Sequence, residues 1–233
     1  MPPKIVGCHY VENRAENLVL SHLRSQLPDD WVVVVDVAWT INDNGYFSDG
    51  QADYVVFVPN LGMLILEVKG SYSLKVDEHG KWFRKDRYGT TWFEIFKRPF
   101  DQARSNSHIL ARRLSNYLTT KNGTSTNFPA LYGYAVTYPN GILVQHPTTF
   151  DKTLLLTKDE QGDYKNRIIK ILEGRQKTNG TTKPIAFTHE DALDFARYLV
   201  NHPFEITHVE EDESIQDSGD VIERLTQLQF AAL

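Results

Sequence analysis

The stretch from Gln51 to Lys69 limits the possible folds of this chain more than any other. It reads as two apolar strands, Ala52-Asp53-Tyr54-Val55-Val56-Phe57-Val58 and Met63-Leu64-Ile65-Leu66-Glu67-Val68-Lys69, joined by Pro59-Asn60-Leu61-Gly62. Each strand carries ionised groups among core-type residues: Asp53 on the first, Glu67 and Lys69 on the second. An unpaired carboxylate is so unfavourable to bury that it normally pairs, binds a metal or shifts its pKa. Two carboxylates and an ammonium converging on one hairpin therefore point to a divalent-metal site suited to phosphodiester chemistry. A structural Asp/Glu/Lys network with its ends in water satisfies the same short pattern.

The chemistry sets a geometric demand. Mg²⁺ is typically held by one or two carboxylates, with waters and phosphate oxygens completing its octahedron. Asp53 and Glu67 can serve as those ligands, and the Val68 backbone carbonyl as a third. Lys69 lies two residues from Glu67, so both side chains leave the strand on one face. An ammonium there can orient or polarise an attacking water. For Asp53 to share that face, cross-strand partners must have an even residue-number sum. A four-residue turn at Pro59 to Gly62 pairs Val58 with Met63, an odd sum, and separates the acids. The site therefore requires an odd-length connection, a bulge or a local kink.

Bulk properties narrow the class. The 233 residues are 41% hydrophobic and 24% charged, ordinary for one large globular domain or one domain plus an appendage. No apolar run approaches the length of a membrane span, and the N-terminus lacks the pattern of a secretory signal. Cys8 is the only cysteine, which excludes an intrachain disulfide framework and a Cys-rich zinc cluster. A cytoplasmic location is the expectation. Net charge is -5, yet Lys69 to Arg113 holds eleven Lys/Arg against five Asp/Glu. A basic segment inside an acidic chain suits a phosphate-binding surface, and equally a solvated basic face.

The periodicities predict an α/β or α+β arrangement, a sheet flanked by helices. Residues 12 to 27 read as a helix with Ala15, Leu18, Val19, His22, Leu23 and Leu27 on its apolar sector, and Glu12 and Glu16 inside that sector. Trp31 to Thr40 is a strand. Asn42 to Gly45 and Ser48 to Gly50 are turn chemistry. Ser73 to Asp77 and Lys81 to Lys85 form a second hairpin. Pro99 to Leu118 is a helix, Leu131 to Thr137 and Thr153 to Leu156 are strands, and Tyr164 to Leu172 and Glu190 to Val200 are helices. Trp82, Phe83, Tyr88, Trp92, Phe93 and Phe96 interleave with Lys81, Arg84, Lys85, Arg87 and Lys97. That mixture suits single-strand stacking, and also a twisted hairpin packed on a sheet. Lys97, Arg98, Arg104, Arg112 and Arg113 are candidates for phosphate contact or plain solvation.

Four of these elements occur in an order that resembles the PD-(D/E)XK nuclease superfamily, specifically its nuclease-related domain, NERD. They are Ala15-Glu16 on the first helix, Asp53-Tyr54-Val55-Val56-Phe57, Leu66-Glu67-Val68-Lys69, and Pro99-Phe100-Asp101-Gln102-Ala103. The resemblance covers about residues 10 to 120. It implies a mixed central sheet flanked by helices and an Mg²⁺- or Mn²⁺-dependent nuclease acting on DNA. It also implies that Asp53 and Glu67 bind metal, that Lys69 assists the water, that Glu16 joins the metal shell directly or through water, and that Gln102 is an accessory polar group. A nuclease-like module that binds nucleic acid without cutting it, or one that binds protein, would keep the same fold.

The C-terminal part changes character. Residues 1 to 207 read as the nuclease-like domain. Residues 208 to 220 are dominated by acidic and small polar residues and read as a linker. Residues 221 to 233 become apolar-periodic again, so the chain reads as a fragment of a longer protein. There, Leu225-Thr226-Gln227-Leu228-Gln229 resembles the motif that opens UvrD/Rep-like helicase domains, to which NERD domains are fused. That resemblance implies a helicase domain as partner. The chain has no Gly-x-x-x-x-Gly-Lys-Ser/Thr phosphate loop and so is not itself an ATPase.

Overall fold

A computed structural model describes residues 1–7, 11, 13–43, 46–96, 98–144, 151–179 and 187–201. Glu12, Lys97 and residues 202–233, on which the expected linker and helicase motif fall, lie outside the described residues. In chain order the elements are β1 Lys4–Gly7, α1 Arg14–Gln26, β2 Val32–Asp43, β3 Tyr46–Val58, β4 Gly62–Val68, β5 Ser73–Val76, β6 Trp82–Lys85 and β7 Phe93–Ile95. They continue with α2 Pro99–Asn122, β8 Leu131–Thr137, β9 Ile142–Leu143, β10 Leu155–Leu156, α3 Tyr164–Asn179 and α4 His189–Asn201. None of these helices is long and apolar enough to cross a membrane.

Six strands form a mixed sheet in the order β1-β2-β3-β4-β8-β10. The β2–β3 and β3–β4 pairs are antiparallel, and the β1–β2, β4–β8 and β8–β10 pairs are parallel. Helices cover both faces, which is why the central strands read as almost unbroken apolar runs. Val33, Val35, Tyr54, Val56, Leu64 and Leu66 pack toward α1 and α3. Val32, Val34, Val55, Phe57, Met63 and Ile65 pack toward α2 and α4.

The β3–β4 connection is Pro59-Asn60-Leu61, three residues, and Val58 pairs with Gly62. Asn60 takes the left-handed conformation, φ 62°, that closes a loop of this length. Gly62 starts β4 because a Cβ there would come within 2.3 Å of the Leu131 carbonyl oxygen on β8. The resulting register is even, with Tyr54 opposite Leu66.

Several sequence expectations change. Thr153 and Leu154, expected as strand, belong to a 3-10 turn at Lys152–Leu154, and only Leu155–Leu156 is strand. Asn42 and Asp43, read as turn, end β2. Ser48 to Gly50 is strand rather than turn, pairing with Thr40, Ile41 and Trp39 in a long β2–β3 hairpin. The absent Cβ of Gly50 makes room for the Trp39 indole, which would otherwise lie 2.3 Å away. Arg113 is 3% exposed and joins the buried side of α2 instead of extending a basic surface. Its guanidinium lies 5.9 Å from the Tyr198 ring on α4.

A second, four-stranded sheet has the order β7-β6-β5-β9. Only Lys69, Gly70, Ser71 and Tyr72 separate β4 from its strand β5. Leu74 from this sheet packs with Ala103, Val136, Tyr138 and Leu155, joining it to the main domain.

Candidate active site

The β3–β4 ladder ends at Tyr54 and Leu66, and the next residues along are Asp53 and Glu67. Leu66 and Val68 pack toward α1 and α3, so Glu67 between them turns to the side that faces α2. Its charge is the strongest one acting on Asp53, so the two acids meet at the end of the ladder. Asp53 does not continue the backbone ladder. Its Oδ2 accepts the Val68 N–H at 2.6 Å. In an antiparallel strand the N–H and C=O of one residue point the same way, so the Val68 carbonyl also points toward Asp53.

Glu67 is 2% exposed. Lys69 Nζ donates to its Oε1 at 2.5 Å. The other oxygen, Oε2, is buried and meets no hydrogen-bond donor among the described residues. A buried carboxylate oxygen without a donor is strongly disfavoured, and a cation relieves it. Asp53 is perturbed in the same sense. Burial first, then the Glu67 charge, push its carboxyl well above its ordinary 3.8, while the Val68 hydrogen bond and Lys69 pull it down.

Glu16 arrives from the first turn of α1. Asn13 caps that helix by accepting the Ala15 N–H at 2.9 Å. The helix start sits beside the end of β4: a Cβ on Gly70 would lie 3.8 Å from the Ala15 Cβ. Tyr54 fixes it from below, its hydroxyl donating to the Glu16 carbonyl at 2.9 Å. Burial, then Asp36 and Glu67, raise the Glu16 carboxyl, and Lys69 opposes them. Glu16, Asp53, Glu67 and Lys69 therefore share one electrostatic environment.

Gln102 is half-buried near the start of α2. One turn on, Asn106 Nδ2 donates to the Gln51 carbonyl at 2.7 Å, anchoring the helix two residues from Asp53. The basic candidates are more scattered. Arg98 is the N-cap residue of α2 and is exposed. Arg104 is ion-paired with Asp101 at 2.9 Å. Arg112 projects from the exposed side of α2, opposite its buried stripe, so the structure does not bring it to the carboxylates.

Two nearby residues escaped the sequence reading. Asp36 lies across the β2–β3 pair from Asp53, at a step the ladder skips between Val35–Tyr54 and Val37–Ala52. It holds a positive φ of 57°, and Gln51 Nε2 donates to its Oδ1 at 2.5 Å. A lone acid in Val32-Val33-Val34-Val35-Asp36-Val37 carried the same signal that drew attention to Asp53. Tyr138 is 1% exposed and its hydroxyl has no partner among the described residues. It follows Val136, the register partner of Glu67, by two residues. Nothing in its sequence context marks it.

Among the described residues no three His, Cys, Asp or Glu side chains are grouped closely enough to hold a metal ion. A two-carboxylate arrangement is nevertheless the ordinary Mg²⁺ donor set. The unpartnered Glu67 oxygen and the disfavoured Asp53 charge fit such an ion.

A mixed sheet between helical layers, with carboxylates and a lysine at the end of its central antiparallel pair, defines a nuclease-like α/β core. The family of nuclease-related domains, NERD, matches residues 12–136, more than half of the chain, and the chain belongs to that family. No curated protein and no solved structure matches it.

Proposed function

We propose that this domain hydrolyses DNA phosphodiester bonds with Mg²⁺ or Mn²⁺. The observation that carries this reading is the meeting of Asp53 and Glu67 at the end of the β3–β4 ladder, with Lys69 bonded to one Glu67 oxygen and the other left without a donor among the described residues. Asp53 and Glu67 are the metal ligands, with the Val68 carbonyl beside them and Glu16 joining directly or through a water. When bound, the ion supplies charge neutralisation at the phosphoryl group and lowers the pKa of a bound water. Lys69 orients the attacking water and balances negative charge. Gln102 is an accessory polar group on α2. The Leu225 to Gln229 motif supports a further part of the proposal: the domain works in a nuclease–helicase acting in DNA processing, repair or defence.

The test is cleavage of single- and double-stranded DNA with Mg²⁺ or Mn²⁺ by wild type and Lys69→Ala. Metal-dependent cutting that the variant loses is the expected result. Binding without cutting by the wild type would replace the nuclease with a nucleic-acid-binding module that loads an attached helicase.

A further inference from the structure

The two faces of the small sheet differ in chemistry. The β5–β6 register places Leu74, Val76 and Trp82 on one face, and all three are buried. Trp82 packs against Phe100 of α2 with ring centroids 5.3 Å apart. Lys75, Phe83 and Lys85 occupy the opposite face and are partly exposed. Trp92, just ahead of β7, joins them. Lys75 Nζ lies 4.8 Å from the Trp92 ring and 5.1 Å from the Phe83 ring, and Lys85 Nζ lies 5.2 Å from Trp92. At the end nearer Lys69, the Arg87 guanidinium lies 5.8 Å from the Tyr72 ring.

The charges here are arranged unequally. Lys81 is paired with Glu94 at 3.2 Å and Arg84 with Asp86 at 3.6 Å. Lys75, Lys85 and Arg87 make no ion pair with a carboxylate among the described residues, and their cationic groups lie over aromatic rings. An aromatic ring beside an unneutralised ammonium offers a nucleotide a stacking surface and a phosphate contact together. A duplex keeps its bases stacked on each other, so it cannot use the rings. A single strand can.

We propose that this face is a stacking platform for single-stranded nucleic acid. Lys75 is six residues from Lys69 and so no more than about 20 Å away, within reach of one short strand. The platform rests on the nuclease reading only for its purpose, which is to lead a strand to Asp53, Glu67 and Lys69.

The test measures binding in EDTA, where cleavage does not interfere. A labelled oligothymidine and a blunt duplex of the same length are titrated with the 233-residue chain and followed by anisotropy. Unlabelled oligothymidine is followed by tryptophan quenching. Trp31, Trp39 and Trp82 are 4%, 2% and 5% exposed, so quenching reports on Trp92. The single strand should bind more tightly than the duplex and quench the fluorescence. Trp92→Ala should abolish the quenching and weaken binding roughly five- to a hundred-fold, with Trp92→Phe restoring most of the affinity. Lys75→Gln with Lys85→Gln should reduce the salt slope by about 1.4. Thermal unfolding near that of wild type shows that each variant is folded. Equal or tighter duplex binding, no quenching, or unchanged affinity in both folded variants overturns the platform. A wild type that binds oligothymidine through this face but cuts nothing overturns the nuclease reading alone. Cutting that depends on Lys69, with binding insensitive to both variants, overturns the platform alone.

Discussion

Lys69 Nζ donates to Glu67 Oε1 at 2.5 Å, and this ammonium is the only donor that the buried Glu67 carboxylate has among the described residues. Lys69→Ala should therefore destabilise the metal-free protein by about 1–3 kcal/mol, the range for stranding a buried polar group; the partial exposure of Lys69 favours its lower half. Adding Glu67→Gln should recover part of that loss, because the buried Glu67 charge is then gone. Urea unfolding of the two single variants and the double variant in EDTA checks this. A double variant that loses the full sum of the single losses would show that the contact has no coupling energy.

The carboxyl of Asp53 is raised from 3.8 to about 7, by burial first and then by the Glu67 charge. Below pH 3.8 both folded and unfolded chains hold the proton, so Asp53 does not penalise folding. Between pH 3.8 and about 7 the unfolded chain releases it while the folded chain keeps it, so stability falls as pH rises. Above that window the full penalty remains. The wild type in EDTA should thus lose more stability across this range than Asp53→Asn does. Mg²⁺ should flatten the wild-type curve, since it binds the ionised form. Parallel curves for the two proteins in EDTA would remove the basis for this reading.

The apolar strands were legible because both faces of the sheet are covered, so β3 and β4 announce themselves by composition alone. Their register was not legible. Pro59-Asn60-Leu61-Gly62 reads as a four-residue turn, and only the left-handed Asn60 reveals a three-residue one. Gly50 has turn chemistry in isolation, yet it serves the Trp39 ring across a strand pair. The β1 strand, Lys4–Gly7, is too short to signal itself and exists through parallel pairing with β2. The acids of the hairpin stood out against apolar neighbours. Tyr138 did not, because a tyrosine just past a core strand looks ordinary until its hydroxyl is found without a partner among the described residues.

Asp36 keeps a positive φ of 57° beside two other acids, and its charge helps raise the Glu16 carboxyl. Asparagine tolerates the same backbone region and retains an oxygen for Gln51. Asp36→Asn should therefore raise the melting temperature in EDTA, because it relieves like-charge repulsion without altering the turn in the strand. The same variant should bind Mg²⁺ more weakly, since it removes negative charge from the ion's surroundings. Thermal unfolding with and without Mg²⁺ separates the two effects. A fall in the metal-free melting temperature would mean that the Asp36 charge stabilises this strand instead.

Tyr54 belongs to the face that packs against α1, and it directly follows Asp53 on β3. Through its hydroxyl, at 2.9 Å from the Glu16 carbonyl, it ties the position of the first helix to the strand that carries Asp53. Tyr54→Phe keeps the ring in its fully buried place and removes only this tie. The expected loss of stability is about 0.5–1.5 kcal/mol, that of one neutral hydrogen bond. If Glu16 acts in the metal shell, the variant should also weaken Mg²⁺ binding, because α1 then has less reason to hold Glu16 beside Glu67. Glu16→Gln serves as the reference. In a Glu16→Gln background, Tyr54→Phe should no longer affect Mg²⁺ affinity, although its cost in stability should persist. An effect of Tyr54→Phe on Mg²⁺ affinity that survives in that background would place the influence of Tyr54 on Asp53 itself and remove Glu16 from the metal shell.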